Sequence, residues 1–516
     1  MTSLSTHLSA GLALALFVGC LLYPTYSVGT RRRKDLPGPT GLPLIGNLIQ
    51  FFSVRTAVLL YLSSLQKHYG ELYSFTMPGW GRNIVVNRPE WLEHIRKHDG
   101  SIYGKGDLVL SIFAEFPGSS SAFGSEGQEW RLSRKLMKPI FATRTFSSDV
   151  SHAMHEIVPL ARELLSHASK QNRLIDFNGG SSHFCGRLAL VMFCKMSLDY
   201  DTDLLTADPE CLAKPHSMVG AVTALSSISS GRLYNPFWRF TEKFDGLGEH
   251  FRASRQECYG VIDRIVKQRQ EEFARDGADK HQDFLGALLR EKTAQDPITL
   301  RDTLVTLLFA GRDNVQNVLA WSLHELSCFP GWLDQMRNES HSVQRDTSPV
   351  RYEELQNYPV HLAVFYETLR LWPGVPKNAR IALKDDVIPA LPDGGHGPIV
   401  VDKGDYILWS DYAMMRNEKV WGIDANSFNP GRHLDAEGRF TKPPAPKFHA
   451  FGYGSRVCPG GQLAAYEFVC VWTGILRFYD IIPEKIEERL PSDALTMNMK
   501  DPFWVRIGVR ECGMEA

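Results

Sequence analysis

The stretch Phe451-Gly452-Tyr453-Gly454-Ser455-Arg456-Val457-Cys458-Pro459-Gly460 decides how the rest of the chain is read. It sets a single thiol in a glycine-rich loop, with Arg456 just before it and an apolar, helix-compatible run from Gln462 to Ile475 after it. Glycines at 452, 454, 460 and 461 let backbone N–H groups turn toward the sulfur, and Arg456 adds positive charge nearby. These features are expected to lower the thiol pKa, as a reactive or metal-bound cysteine requires. A lone cysteine without such neighbours reads as a small buried hydrophobe.

Phe451, Gly454, Arg456, Cys458 and Gly460 fit F-x-x-G-x-R-x-C-x-G. Average residue usage would produce that pattern by chance on the order of once in ten thousand such chains. The stretch resembles the haem-binding loop of the cytochrome P-450 family. The resemblance implies haem b as cofactor, Cys458 as axial ligand of its iron, and Phe451 and Arg456 beside it. It also implies that family's fold, mainly α with small β-sheets (α+β), as a single large catalytic domain after an N-terminal transmembrane helix. Thiolate ligation pushes electron density toward O–O cleavage.

The length of 516 residues and the 43% hydrophobic content allow a large core. A net charge of −1 with no dense basic face argues against a nucleic-acid partner. The cysteines, at 20, 185, 194, 211, 258, 328, 458, 470 and 512, are odd in number and scattered, which suits a reducing compartment. From Leu8 to Val28 the chain is apolar or small and uncharged, long enough to cross a bilayer as a helix, and Arg31, Arg32, Arg33 and Lys34 follow. The positive-inside tendency then puts everything after Lys34 in the cytosol. A cleaved signal peptide is the rival reading, but its basic residues should precede the apolar core. The expected organisation is an anchor with a basic stop-transfer over 1–34, a proline- and glycine-rich hinge over 35–47, and a catalytic domain over 48–516. Its place is the endoplasmic reticulum membrane, single-pass, with the catalytic domain cytosolic.

Helices are expected over Thr56–Tyr69 and Pro89–His98, with strands over Leu72–Met77 and Asn83–Asn87 between them. A long loop then runs from Asp99 to Gly127, in which Ile112, Phe113, Phe116 and Phe123 form either a satellite core or a ligand-facing surface. Trp130 and Arg134 share one helical face. They resemble the family pair that bonds a haem propionate. Val150 to Lys292 reads as amphipathic helices without an assignable motif, and by resemblance 207–240 forms the substrate roof.

Thr299 can cap a helix to about Leu326, roughly 40 Å long. Its middle, Leu304 to Ala310, is apolar all round and should cross the interior. Ala310-Gly311-Arg312-Asp313-Asn314 interrupts it, with Gly311 inviting a local opening. The interruption resembles the family's oxygen-binding groove, A-G-x-[DE]-[TS]. It implies Asp313 as a catalytic proton-relay acid and puts Asn314 where relatives carry a hydroxyl. An amide cannot pass a proton as a hydroxyl does, though it can donate a hydrogen bond or hold a relaying water.

Glu367-Thr-Leu-Arg370 resembles the family's E-x-x-R, whose implied role is structural, with Arg432 in Phe428-Asn-Pro-Gly-Arg432-His433 as third member. Gly431 and His433 depart from the usual Glu and aromatic residue. By resemblance Arg380 binds a haem propionate, while Val375–Ala379 and Met497–Phe503 edge the substrate pocket. Strands over Arg380–Leu383, Ile399–Val401 and Tyr406–Ser410 supply the small sheet.

The implied activity is insertion of one atom of O2 into a lipophilic small molecule, with the other leaving as water. No G-x-G-x-x-G opens a helix, so the electrons are expected from NADPH through a separate reductase, with Arg131, Lys135, Lys138 and Lys447 as candidate docking charges. The loops at 371–380 and 404–433 look most like fungal relatives, and the expected setting is fungal secondary-metabolite biosynthesis. The alternatives are an alkane or fatty-acid hydroxylase, an oxygen-independent haem-thiolate isomerase or dehydratase motivated by Asn314, and a non-catalytic haem sensor.

Overall fold

A 32-residue helix, Pro297–Cys328, runs through the molecule and the other elements pack around it. The computed structural model describes residues 2–30, 35–54, 57–142, 149–178, 183–277, 283–291, 296–344 and 350–510. The basic run 31–34 and Cys512 lie outside them. The central helix is buried on nearly every face between Leu300 and Leu326, its apolar residues packed against neighbouring helices. Its N-cap is Asp296, whose carboxylate accepts from the backbone and hydroxyl of Thr299, rather than Thr299 itself. The helix is also continuous through Gly311, where an opening was expected. Phe309 and Arg312, before and after it on the helix, are buried.

Phe184–Leu198, buried almost throughout, packs along the central helix, and Ser217–Leu233, Leu247–Asp276, Pro359–Leu371 and Gly461–Leu476 complete the helical body. Trp321 of the central helix stacks on Trp372 with centroids 3.6 Å apart, fixing the end of Pro359–Leu371 to it.

The strands are β1 (Leu72–Met77), β2 (Gly81–Val86), β3 (Tyr103–Gly104), β4 (Ile175–Asp176), β5 (Lys377–Ala382), β6 (Asp386–Ile388), β7 (Ile399–Val401), β8 (Tyr406–Ser410), β9 (Tyr479–Pro483) and β10 (Trp504–Val509). A five-stranded sheet has the order β1-β2-β8-β5-β3. Its pairs are antiparallel except β2 with β8, and Arg380 sits opposite Ile407. The expectation of a mainly α fold with small sheets is met. β5 begins at Lys377, three residues before the expected strand, because its register continues to Ser410.

Two long irregular segments differ from expectation. Asp99–Gly127 holds a helix, Asp107–Phe113, followed by a wider turn, Ala114–Gly118. Its large apolar residues divide: Ile112 and Phe116 are fully buried, while Phe113 and Phe123 face a cavity. Segment 35–47, expected as a hinge, is docked on β1. Pro37 O accepts from Ser74 N at 2.8 Å, and Asn47 N donates to Thr76 O at 2.8 Å.

At the N-terminus the helix is Thr2–Leu22, not a span from Leu8 to Val28. Pro24 cannot continue it, and Ser27 bridges to Leu44 instead. Among the described residues no helix is long and apolar enough to cross a membrane.

Candidate active site

Cys458 N donates to Phe451 O at 2.8 Å and closes the loop between them. Gly452 and Gly454 take φ of +70° and +76°, which side chains with a Cβ rarely adopt, so the turn depends on those glycines. Gly460 N–H points at the Cys458 sulfur from 3.3 Å. The residue is exposed, and it opens on a cavity of about 420 Å³.

The thiol pKa departs from the sequence expectation. Desolvation by the protein packed around the loop raises it above the ordinary value, and the Gly460 N–H and Arg134 offset this only in part. Arg456 turns elsewhere: its Nε donates to Asp99 at 2.8 Å and its guanidinium lies over the Trp130 ring at 4.5 Å. The loop therefore offers a positioned sulfur, and a bound metal ion would stabilise its thiolate.

Arg96, Lys105, Arg134, Arg380 and Arg456 share one cavity wall with Trp130. Asp99 bridges Arg380 and Arg456 at 2.8 Å each, and against its burial these two arginines hold its carboxyl below the usual range. Burial, then Arg456 and Arg380, push the Lys105 ammonium well below its ordinary pKa. Burial, then Arg380, lower the Arg96 guanidinium to about 10. Arg96 Nε, Arg456 Nη1 and both His449 ring nitrogens are buried without a hydrogen-bond partner among the described residues. Such a wall suits a dianionic ligand. Among the described residues no group of three or more His, Cys, Asp and Glu could hold a metal. Haem iron brings its other ligands with it. The sulfur, the aromatic Phe451 and Trp130, and the cationic wall fit haem and its propionates.

The central helix forms another wall with Thr306, Leu307, Ala310, Gly311 and Asn314. Asn314 Nδ2 donates to Ala310 O at 2.8 Å, one turn back. Its Oδ1 rests against Gly374, where an added Cβ would stand 2.1 Å away. Asp313 is not on the wall. It is fully buried and ion-paired with the equally buried Arg312 at 2.6 Å.

Glu367 and Arg370 are fully buried and joined by two 2.8 Å contacts. Arg370 also donates to the carbonyls of Met415, Ala425 and Ser427. Arg432 reaches Glu367 at 3.2 Å, and His433 occupies its second oxygen at 3.1 Å. Burial opposes ionisation of Glu367, yet the hydrogen bonds from Arg370 and His433 bring its pKa to about 2. The departure at 433 thus keeps a partner for the acid, where sequence reasoning saw only a missing aromatic.

Apolar lining comes from Leu62, Val85, Phe113, Phe123, Leu233 and Val375 among others. The expected wall at Met497–Phe503 lies elsewhere: Leu495 and Thr496 face the cavity, while Met497 and Phe503 are buried behind it. Arg131, Lys135 and Lys138 are exposed, but Lys447 is half-buried with its ammonium 4.5 Å from the Trp421 ring. Sequence reasoning also missed Arg96, Asp99, Lys105 and His449. An isolated Arg, Asp, Lys or His carries no spacing signal, and long-range folding brings these together.

Comparison with known proteins agrees with this geometry. A family model described as cytochrome P-450 matches residues 36–504. Cytochrome P-450 monooxygenase cyp1 of Mycosarcoma maydis is 32% identical over 97% of this chain and 80% of its own length. Cytochrome P-450 94B1 of Arabidopsis thaliana is 27% identical over 96% of both chains. Cytochrome P-450 94A1 of Vicia sativa is 24% identical over 92% of this chain and 91% of its own.

Proposed function

Since the chain belongs to the cytochrome P-450 family of monooxygenases, we propose that it oxidises a lipophilic small molecule in the cavity between Cys458 and the central helix. The observation that carries this reading is the meeting of three surfaces in one cavity: the Cys458 sulfur, a cationic wall, and an apolar lining. Haem bound there supplies the oxygen chemistry and takes electrons from a redox partner. Cys458 would hold the iron through its sulfur, and Arg96, Arg134, Arg380 and Arg456 would hold the propionates. Phe113, Phe123, Leu233 and Val375 exclude water and seat the substrate. Asp313 and Asn314 are the residues we assign to proton control.

A panel of lipophiles tests the substrate class through the spectral shift that each causes. Fatty acids and alkanes form one arm and polycyclic metabolites the other. A metabolite comparison with and without the enzyme tests the secondary-metabolite role. No shift across the panel would favour a non-catalytic haem protein.

We assign electron delivery to an NADPH-dependent reductase docking at Arg131, Lys135 and Lys138. These exposed cations lie on and just after the Gly127–Met137 helix, whose Arg134 touches the cysteine loop. The Thr2–Leu22 helix, with Leu12, Leu14, Phe17 and Leu21 exposed, is the proposed attachment to the endoplasmic reticulum membrane. Flotation with vesicles should lose the protein when residues 2–22 are removed; unchanged flotation would contradict the assignment.

The amide at 314, held by Ala310 O, favours a second reading, an oxygen-independent isomerase or dehydratase. Strict dependence of turnover on NADPH and reductase eliminates it.

A further inference from the structure

The cavity has a second polar corner, away from the cationic wall. Successive side chains of a strand face opposite sides, and β5 divides accordingly. Asn378 and Arg380 turn to Asp411 and Asp99, whereas Lys377 turns to Asp493 and Ala494. The Lys377 ammonium donates to Asp493 Oδ1 at 2.5 Å and to Ala494 O at 3.2 Å, and it lies 5.7 Å from the centroid of the Tyr234 ring. Trp80 lies nearly parallel to the same ring, with centroids 6.4 Å apart. Lys377, Tyr234 and Trp80 all line the cavity. Their surroundings are apolar: Leu62, Val85 and Leu408 belong to one packed cluster with both rings.

Donors gather in this corner, and its acceptors are already used. Trp80 Nε1 is buried without a hydrogen-bond partner among the described residues. Burial, then Asp493, push the Tyr234 phenol well above its ordinary pKa, so it keeps its proton and can donate. Two of the three ammonium N–H groups of Lys377 are engaged, which leaves one. Asp493 is spent on Lys377 through Oδ1 and on Val58 N through Oδ2. A buried donor without an acceptor is costly, so the corner suits an oxygen that a ligand brings. Asp493 also cancels the charge of Lys377. A carboxylate there would add an uncompensated negative charge out of water, and an uncharged acceptor would not.

We infer that Trp80, Tyr234 and Lys377 form a polar subsite for a carbonyl oxygen of the substrate, which is then a lipophilic ketone or ester rather than a plain hydrocarbon or a free acid. The inference rests on the reading of this cavity as the place where a lipophilic molecule is oxidised. With its carbonyl held at the subsite, the molecule has one fixed end, and that end sets which carbon is presented for oxidation.

An alkane, the methyl ketone and the carboxylic acid of the same chain length test this. Equilibrium dialysis of the holoenzyme reads their binding without a haem signal, and the Soret shift of the same samples reads it at the haem. Trp80→Phe and Tyr234→Phe each remove one donor and keep an aromatic ring, and Lys377→Met with Asp493→Asn removes the ion pair as a unit. In the wild type the ketone should bind roughly tenfold more tightly than the alkane or the acid. Each aromatic variant should cut the ketone-to-alkane ratio about threefold or more, a change that loss of packing alone would not produce. The double variant should lower the same ratio. Equal binding of ketone and alkane in the wild type, a ratio unchanged in both aromatic variants, or an acid that binds more tightly than the ketone would overturn the inference. A ketone preference in dialysis without any Soret shift would support the subsite and defeat the oxidation reading. Soret shifts without a ketone preference would do the reverse.

Discussion

Asn314 is held at both ends of its amide, by Ala310 O through Nδ2 and by Gly374 against Oδ1. A Cβ at position 374 would stand 2.1 Å from that oxygen, so Gly374→Ala must turn the amide and break its bond to Ala310. The expected loss is about 1–2 kcal/mol, the scale of one buried hydrogen bond plus local overpacking. Asn314→Ala in the same chain should remove most of that loss, and a thermal-unfolding double-mutant cycle reads the coupling. Additive effects would show that the two positions do not meet. The sequence displayed Asn314 as a departure from a motif. It could not display Gly374 as its complement, because their contact joins a helix to a turn about 60 residues later.

At the scale of elements, the Glu367 cluster ties Pro359–Leu371 to the segment 415–433. The Glu367 pKa of about 2 lies below the ordinary 4.5, so its stabilisation is fully present above about pH 4.5 and is lost as pH falls toward 2. The size is on the order of 3 kcal/mol. Acid unfolding followed by circular dichroism should show a stability slope in that window, and Glu367→Gln should flatten it. Glu367→Gln also leaves the buried Arg370 without its counter-charge, so it should lose roughly 3–5 kcal/mol at neutral pH. A variant as stable as wild type at pH 7 would contradict the bracing role.

Elements with a strong period were legible: the helices around Trp130, Glu367 and the central apolar run, and the β1–β2 hairpin. Segment 99–127 was read as one loop, since its short helix lies between glycines and prolines and its period is too brief to register. The proline-rich run 35–47 looked free because the hydrogen bonds that dock it go to β1, a partner that its composition does not name.

Across the whole molecule, the cationic face at Arg131, Lys135 and Lys138 gives an ionic-strength prediction. Arg131→Glu with Lys135→Glu should slow reduction by the reductase at low salt, on the order of tenfold, and the difference should shrink as salt rises. An equal rate at low salt would move the docking site elsewhere. The fold class was legible from one loop, since the cysteine pattern is rare and its chemistry demands a particular scaffold. The site was legible only where its residues lie in motifs. Arg96 and Lys105, His449, and Thr496 reach the cavity from three separate parts of the chain, and Asp99 ties Arg380 to Arg456 behind it, an arrangement that only the folded structure brings together.

The most direct test of the account is the Soret band of the reduced, carbon monoxide-bound protein, recorded for wild type and for Cys458→Ser. Thiolate ligation predicts the thiolate-type band in the wild type and its loss in the variant. An unchanged band in Cys458→Ser would contradict the assignment of Cys458 as the iron's axial ligand.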